Sequence, residues 1–230
     1  AAFDKLEGVI DAVYNPLRTC LVLDAKEKGI PAEGGLYMLV AQAFRASEIF
    51  TGVEYPDELL WEVYEKILAS KENIVLTGMP ASGKSTVGEI IKERTSRNLI
   101  DTDLLCEQKD GRRISEIFES SGESSFRDLE SRVIKEISNI SSSIIATGGG
   151  AVLRKENLYN LRHNGRIFLI DRPLDSLIPT SDRPLANSKE AIIRRYNERI
   201  EIYRSSADVI IDAKGDIKET VDKISGVLNL

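Results

Sequence analysis

The segment Gly78-Met79-Pro80-Ala81-Ser82-Gly83-Lys84-Ser85 limits the fold of this chain more than any other. It fits G-x-x-x-x-G-K-[ST], with the apolar run Ile74 to Thr77 before it and a helical pattern from Thr86 to Thr95 behind it. A glycine-rich turn between a strand and a helix folds its backbone N–H groups around phosphates, and the helix N-terminus adds a favourable dipole. Gly78, Ala81, Ser82, Gly83 and Thr86 are therefore expected to contact the phosphates of ATP. Lys84 is expected to neutralise β/γ oxygens, and Ser85 to act as a ligand of Mg²⁺ carried with ATP. Such a loop serves kinases, ATP-driven switches and GTPases alike, so it fixes a binding mode rather than a reaction.

From Asn73 onward, short β-rich runs alternate with helices: IVLTG, NLID, SIIATGG, RIFLI and DVIID, each followed by a helical stretch. Strands separated by helices pair in parallel through crossovers, which predicts an α/β domain of three layers. The first 71 residues read differently. A strand is expected over residues 9–13, a turn at Asn15-Pro16, and helices over 19–28, 36–50 and about 56–70, the first ended by Gly29. Leu39, Ala43, Ala46 and Phe50 are expected on one buried face of the second helix, and Leu59, Leu60, Val63 and Ile67 on that of the third. No nucleus of a closed sheet is visible in this part. The expected organisation is thus a mainly helical appendage, residues 1–71, joined near Ser70-Lys71-Glu72 to a phosphate-loop domain, residues 72–230.

Charge narrows the partners. Residues 1–71 hold 7 basic and 12 acidic side chains, so most of the net charge of −6 lies there, and broad binding to a nucleic-acid backbone is not expected. No apolar run approaches the length of a membrane span, and AAFDKLEG lacks the features of a signal peptide, so a cytoplasmic location is the expectation. Cys20 and Cys106 have neither the number nor the spacing of a disulfide framework or metal site.

Further motifs surround the expected ligand end of the sheet. Asp101 and Asp103, in D-T-D after an apolar strand, either begin a solvated loop or sit at the strand's C-terminal end, where one holds Mg²⁺ through water and the other accepts a hydroxyl proton. Gly122-Glu-Ser-Ser-Phe126-Arg127 opens a helix on which Arg127 and Glu130 are one turn apart, the spacing of a surface ion pair or of a supported anion binder. Gly148, Gly149 and Gly150 end a strand, giving either a flexible turn or a place where a ligand approaches backbone N–H groups closely. Arg183 falls in a proline-bearing segment, and an arginine held there on a loop above the phosphates would be suited to stabilising transition-state charge. Arg199 and Tyr203 share a helix face.

Together the phosphate loop, D-T-D, F-R-x-x-E, G-G-G-A, R-P-L and R-x-x-x-Y-R resemble, in order and approximate spacing, the shikimate kinase family over residues 73–228. The resemblance implies ATP-dependent phosphorylation of the 3-hydroxyl of shikimate. It assigns shikimate contacts to Asp103, Arg127, Gly148, Gly149, Gly150 and Arg199, the carboxylate of shikimate falling to Arg127 and Arg199. Arg183 is similar to the lid arginine that reaches the transferring phosphate, and Asp101 to the carboxylate behind Mg²⁺. Lys84, Asp103 and Arg183 form the implied catalytic set. One departure is Ile178-Pro179-Thr180, where many relatives carry a basic residue. Another small-molecule kinase of the gluconate type, or an ATP-binding assembly module without turnover, is the alternative reading.

The front segment has its own likeness. Asp11-Ala-Val-Tyr14-Asn15-Pro16 and Gly35-Leu-Tyr-Met38-Leu-Val-Ala-Gln42-Ala resemble the C-terminal end of shikimate dehydrogenase over residues 5–70. That likeness implies that Tyr14 and Gln42 are shikimate contacts by descent and that Met38 and Gly35 derive from a nicotinamide site. These 230 residues hold neither the dinucleotide turn nor the catalytic Lys/Asp domain of that family. The chain therefore resembles a piece or remnant of a dehydrogenase–kinase fusion, with no dehydrogenase activity expected and the front helices as the expected surface of any association.

Overall fold

The computed structural model describes residues 5–177 and 188–228. The front segment begins with β1 (Val9–Ile10), α1 (Cys20–Glu27) and β2 (Ala32–Glu33), and β1 and β2 pair in parallel. Strand pairing thus stops at Ile10 instead of running to Val13: Asp11 turns the chain by accepting from the Val13 N–H at 3.0 Å. Thr19 caps α1, accepting from the Val22 N–H at 3.4 Å. Two longer helices follow, α2 (Leu36–Thr51), closed by Gly52 at φ 69°, and α3 (Asp57–Lys71), whose Asp57 and Glu58 face the positive end of its dipole.

These helices pack through Leu36, Val40 and Phe44 of α2 against Leu60 and Tyr64 of α3, with Leu17 beneath. The expected stripe on α2 is therefore out of phase: Phe50 is 89% exposed and Ala43 is also exposed. Leu59, Val63 and Ile67 do turn toward this core. Tyr37 stacks on Trp61 with ring centroids 4.8 Å apart, extending the packing to the rim.

From Asn73 the chain builds one parallel sheet. Its strands are β3 (Asn73–Thr77), β4 (Asn98–Asp101), β5 (Ser143–Ala146), β6 (Gly165–Asp171) and β7 (Val209–Asp212), in the order β4-β5-β3-β6-β7. The helices are α4 (Lys84–Thr95), α5 (Thr102–Asp110), α6 (Ile114–Ile137), α7 (Lys155–Arg162), α8 (Lys189–Ser206) and α9 (Ile217–Leu228). Covered on both faces, β3 is buried at every position, and its run of apolar residues follows from that. One face packs Ile74, Leu76 and Phe168 against Val87 and Ile91 of α4 and Val221 and Ile224 of α9. The other packs Val75, Ile145 and Ile167 against Ile134 and Ile137 of α6 and Leu161 of α7. The architecture is α/β with helices on both faces of the sheet.

Strand order reverses direction about β3, so the crevice beyond its C-terminal end is where a ligand fits such a sheet. The front segment docks at the opposite end. There the Arg18 N–H donates to the His163 carbonyl at 2.9 Å, and the Leu17 N–H to Asn164 Oδ1 at 2.8 Å. Arg18 and Arg166 both pair with the buried carboxylate of Glu72. Among the described residues, no helix is long and apolar enough to cross a membrane.

Candidate active site

The phosphate loop joins β3 to α4 through backbone angles that select its residues. Gly78 has φ 147° and Gly83 φ 95°, which L side chains rarely adopt, and Ala81 sits at φ 67°. A Cβ on Gly78 would also crowd the Ile170 carbonyl of β6. Lys84 is buried at the first position of α4, its Nζ donating to the carbonyls of Gly78 at 3.0 Å and Met79 at 2.9 Å. Ser82 is also buried, its hydroxyl without a hydrogen-bond partner in this structure. Thr86 is exposed on the outer side of the first turn.

Ser85 and Asp101 face each other across this helix start. Ser85 Oγ donates to Asp101 Oδ2 at 2.8 Å, while Asp101 Oδ1 accepts from the N–H groups of Asp103 at 2.9 Å and Leu104 at 3.3 Å. Asp101 is thus the last residue of β4 and the N-cap of α5 at once. The two carboxylates do not both project from the strand end, because Asp103 belongs to the first turn of α5. A hydroxyl and a carboxylate oxygen at this separation are hard donors of the kind that suit Mg²⁺, which takes few protein ligands when phosphates supply others.

The loop after β5 draws the remaining residues together. The Gly148 N–H donates to Thr102 Oγ1 at 2.9 Å, so this amide is already engaged. The glycines leave room mainly for side chains of this chain: a Cβ on Gly148 would overlap Asp103 and Glu130, and one on Gly150 would overlap the Arg127 guanidinium. A Cβ on Gly149 would meet the Pro80 ring at 3.0 Å. Through Pro80 the loop therefore touches the phosphate loop, and through Asp103, Glu130 and Arg127 it touches a cluster of two carboxylates and a guanidinium.

Arg127 is held by two carboxylates, Glu130 at 2.7 Å and Glu123 at 3.1 Å. Burial opposes its charge, but Glu130 and Glu123 outweigh that effect and raise its pKa. Glu130 is fully buried, and burial raises its pKa against the pull of Arg127, with Asp103 adding a like charge nearby. Its Oε1 has no hydrogen-bond partner in this structure. Arg127 lies just past a break in α6 at Gly122 (φ 80°, ψ 167°), so a new helical start, as expected at this glycine, sets its position. Across the loop, Arg199 and Tyr203 of α8 both donate to the Gly149 carbonyl, Arg199 at 3.5 Å. Tyr203 is fully buried, and burial pushes its pKa to about 12, keeping the hydroxyl a donor.

Comparison with known proteins decides the family. Its sequence profile, described as shikimate kinase, matches residues 80–229. The chain belongs to the shikimate kinase family. A shikimate kinase of Clostridium botulinum (strain Eklund 17B / Type B) is 43% identical over 162 residues, 69% of this chain and 98% of that protein. That of strain Alaska E43 / Type E3 is 41% identical with the same coverage. Among solved structures, shikimate kinase from Acinetobacter baumannii in complex with shikimate matches with a TM-score of 0.66 at 29% identity, covering 72% of this chain and 97% of that one. Shikimate kinase from Aquifex aeolicus matches with a TM-score of 0.60 at 33% identity, over 68% and 96%.

Within this kinase framework, the structure brings together the phosphate loop, Ser85, Asp101, Asp103, Arg127, the 148–150 glycines and Arg199. Arg183 and the Ile178-Pro179-Thr180 departure lie outside the described residues. Two contributors were not singled out as site residues from sequence: Pro80, which joins the two loops, and Thr102, which receives the Gly148 amide. Pro80 stands at an unconstrained position of the loop motif, and nothing in the sequence marks its contact with Gly149.

Proposed function

We infer that residues 72–230 transfer the γ-phosphoryl group of ATP to the 3-hydroxyl of shikimate. The observation that carries the reading beyond family membership is the loop at 147–150, which touches the phosphate loop at Pro80 and the Asp103, Arg127 and Glu130 cluster at Gly148 and Gly150. Donor and acceptor halves therefore meet at one short backbone segment, and alignment of reactants is a major part of phosphoryl-transfer catalysis.

In this reading the phosphate-loop amides and Lys84 hold the β- and γ-phosphates. Arg127 and Arg199 hold the carboxylate of shikimate through charge-assisted forks, a pairing stronger than neutral hydrogen bonds. Asp103 orients the acceptor hydroxyl and takes its proton as the oxygen bonds to the γ-phosphorus and the bridging bond to ADP breaks. Ser85 and Asp101 would hold Mg²⁺, which when bound neutralises phosphate charge. By resemblance, Arg183 would stabilise the charge of the transferring phosphoryl group. A cytoplasmic setting fits the free thiols of Cys20 and Cys106.

The front segment is read as the C-terminal end of a shikimate-dehydrogenase-like unit fused to the kinase, on the strength of its two motifs. Tyr14, Met38 and Gln42 are exposed on this segment. Ile49 and Phe50 at the end of α2 are exposed as well, which supports association through this segment. Neither nucleic acid nor membrane enters the proposed function.

Calorimetric titration with shikimate tests the acceptor assignment. Arg127→Ala and Arg199→Ala should each weaken binding by roughly 2–5 kcal/mol and leave ATP affinity nearly unaltered. Undiminished shikimate affinity in both folded variants would contradict it.

A further inference from the structure

A cavity of about 770 Å³ opens where α1 of the front segment lies against α7 and the end of α8, beside the N-terminal ends of β6 and β7. It is at the opposite end of the sheet from the phosphate loop. Its wall holds five cationic side chains, among them Arg18, Arg162 and Arg166, against the two carboxylates of Glu27 and Asp208. Behind the wall, Glu72 is shared by Arg18 and Arg166, one carboxylate between two guanidinium groups. Lys155 is matched by Glu27 at 2.6 Å. Arg162 donates to the Ser206 carbonyl at 2.8 Å and lies 3.5 Å from Asp208, while its buried Nε has no partner. The remainder of the lining includes Leu23, Leu158, Ile202 and Val209.

An ion-pair network serving only to join two parts of a chain would balance its charges. With Glu72 behind the wall and Asp24, which accepts from the lining Tyr159 hydroxyl at 2.7 Å, counted in, five cations still face four carboxylates around a space, next to an apolar wall. Water would fill the polar half, but it gains little against leucine and isoleucine side chains. The complementary occupant has an anionic group for the arginines and an apolar body for the opposite wall, the usual division of labour in small-molecule pockets. We propose that this cavity binds a small organic anion with an apolar body, at a site separate from the phosphate loop. Arg18, just before α1, and Leu23 of α1 lie outside the segment matched by the family profile, so the site is formed only where the front segment meets the kinase.

Isothermal titration of phenyl phosphate into the full chain, with ADP saturating to keep the probe off the phosphate loop, reads this directly. Saturable binding with one site per chain is expected, and inorganic phosphate should bind at least tenfold more weakly. Arg162→Met should weaken phenyl phosphate at least tenfold. Ile202→Asp should do the same without threatening the fold, because Ile202 is 40% exposed. Absence of saturable binding at millimolar probe, equal binding of inorganic phosphate, or unweakened binding in both folded variants would each overturn the proposal. None of these readings depends on phosphoryl transfer, so they stand or fall apart from the kinase assignment.

Discussion

Gly150 has no room for a side chain, because the Arg127 guanidinium occupies the place a Cβ would take. Its φ of −119° is open to any residue, so the restriction comes from the neighbour and not from the backbone. Gly150→Ala should therefore fold and displace Arg127, raising KM for shikimate at least about tenfold, worth about 1.4 kcal/mol, while KM for ATP stays nearly unchanged. Steady-state kinetics with each substrate varied in turn checks this, and an unchanged KM for shikimate would detach Gly150 from the acceptor site. The sequence marked these glycines as places of close approach. It did not reveal that the approaching groups are Asp103, Glu130 and Arg127 of the same chain, since those contacts join residues far apart along it. The i,i+3 spacing of Arg127 and Glu130 was legible because a helix brings such positions together whatever the fold.

At the scale of elements, the break in α6 does the positioning. Gly122 adopts φ 80° and ψ 167°, a region almost closed to residues with a Cβ, and Arg127 follows in the next helical stretch. Gly122→Ala should lower stability by about 1–3 kcal/mol and raise KM for shikimate as the second half of the helix shifts. Urea denaturation beside kinetics tests both parts, and a stable variant with wild-type KM would remove the break from the account. All five strands of the large sheet were legible, because buried parallel strands are short apolar runs separated by helices. In the front segment the phase of α2 was not. Its sequence LYMLVAQAFRASEIF carries apolar residues on several faces, so periodicity alone does not choose Leu36, Val40 and Phe44 over Leu39, Ala43 and Phe50. The two-residue β2 escapes for a simpler reason, since so short a run gives no alternation to read.

Over the whole molecule, the front segment and the kinase meet at His163, the single histidine of the chain. Its carbonyl accepts from Arg18, and its ring nitrogen lies 3.5 Å from the Cys20 thiol. Burial lowers its pKa below the ordinary 6.5, so the unfolded chain binds the proton more readily than the folded one. Its contribution to stability is therefore fully present above that ordinary value and is lost as pH falls through the lowered one. The thermal unfolding midpoint of the wild type should fall as pH drops from about 7 toward 5.5, and His163→Gln should flatten that slope. Equal slopes in the two proteins would show that the histidine is not the titrating group. The central claim, phosphoryl transfer from ATP to shikimate at a site built around Lys84, is tested most directly by coupled measurement of ADP release. The account predicts release that requires shikimate, is not supported by gluconate, and falls by orders of magnitude in a folded Lys84→Ala variant. Release at the same rate without shikimate, or near-normal turnover in that variant, would contradict it.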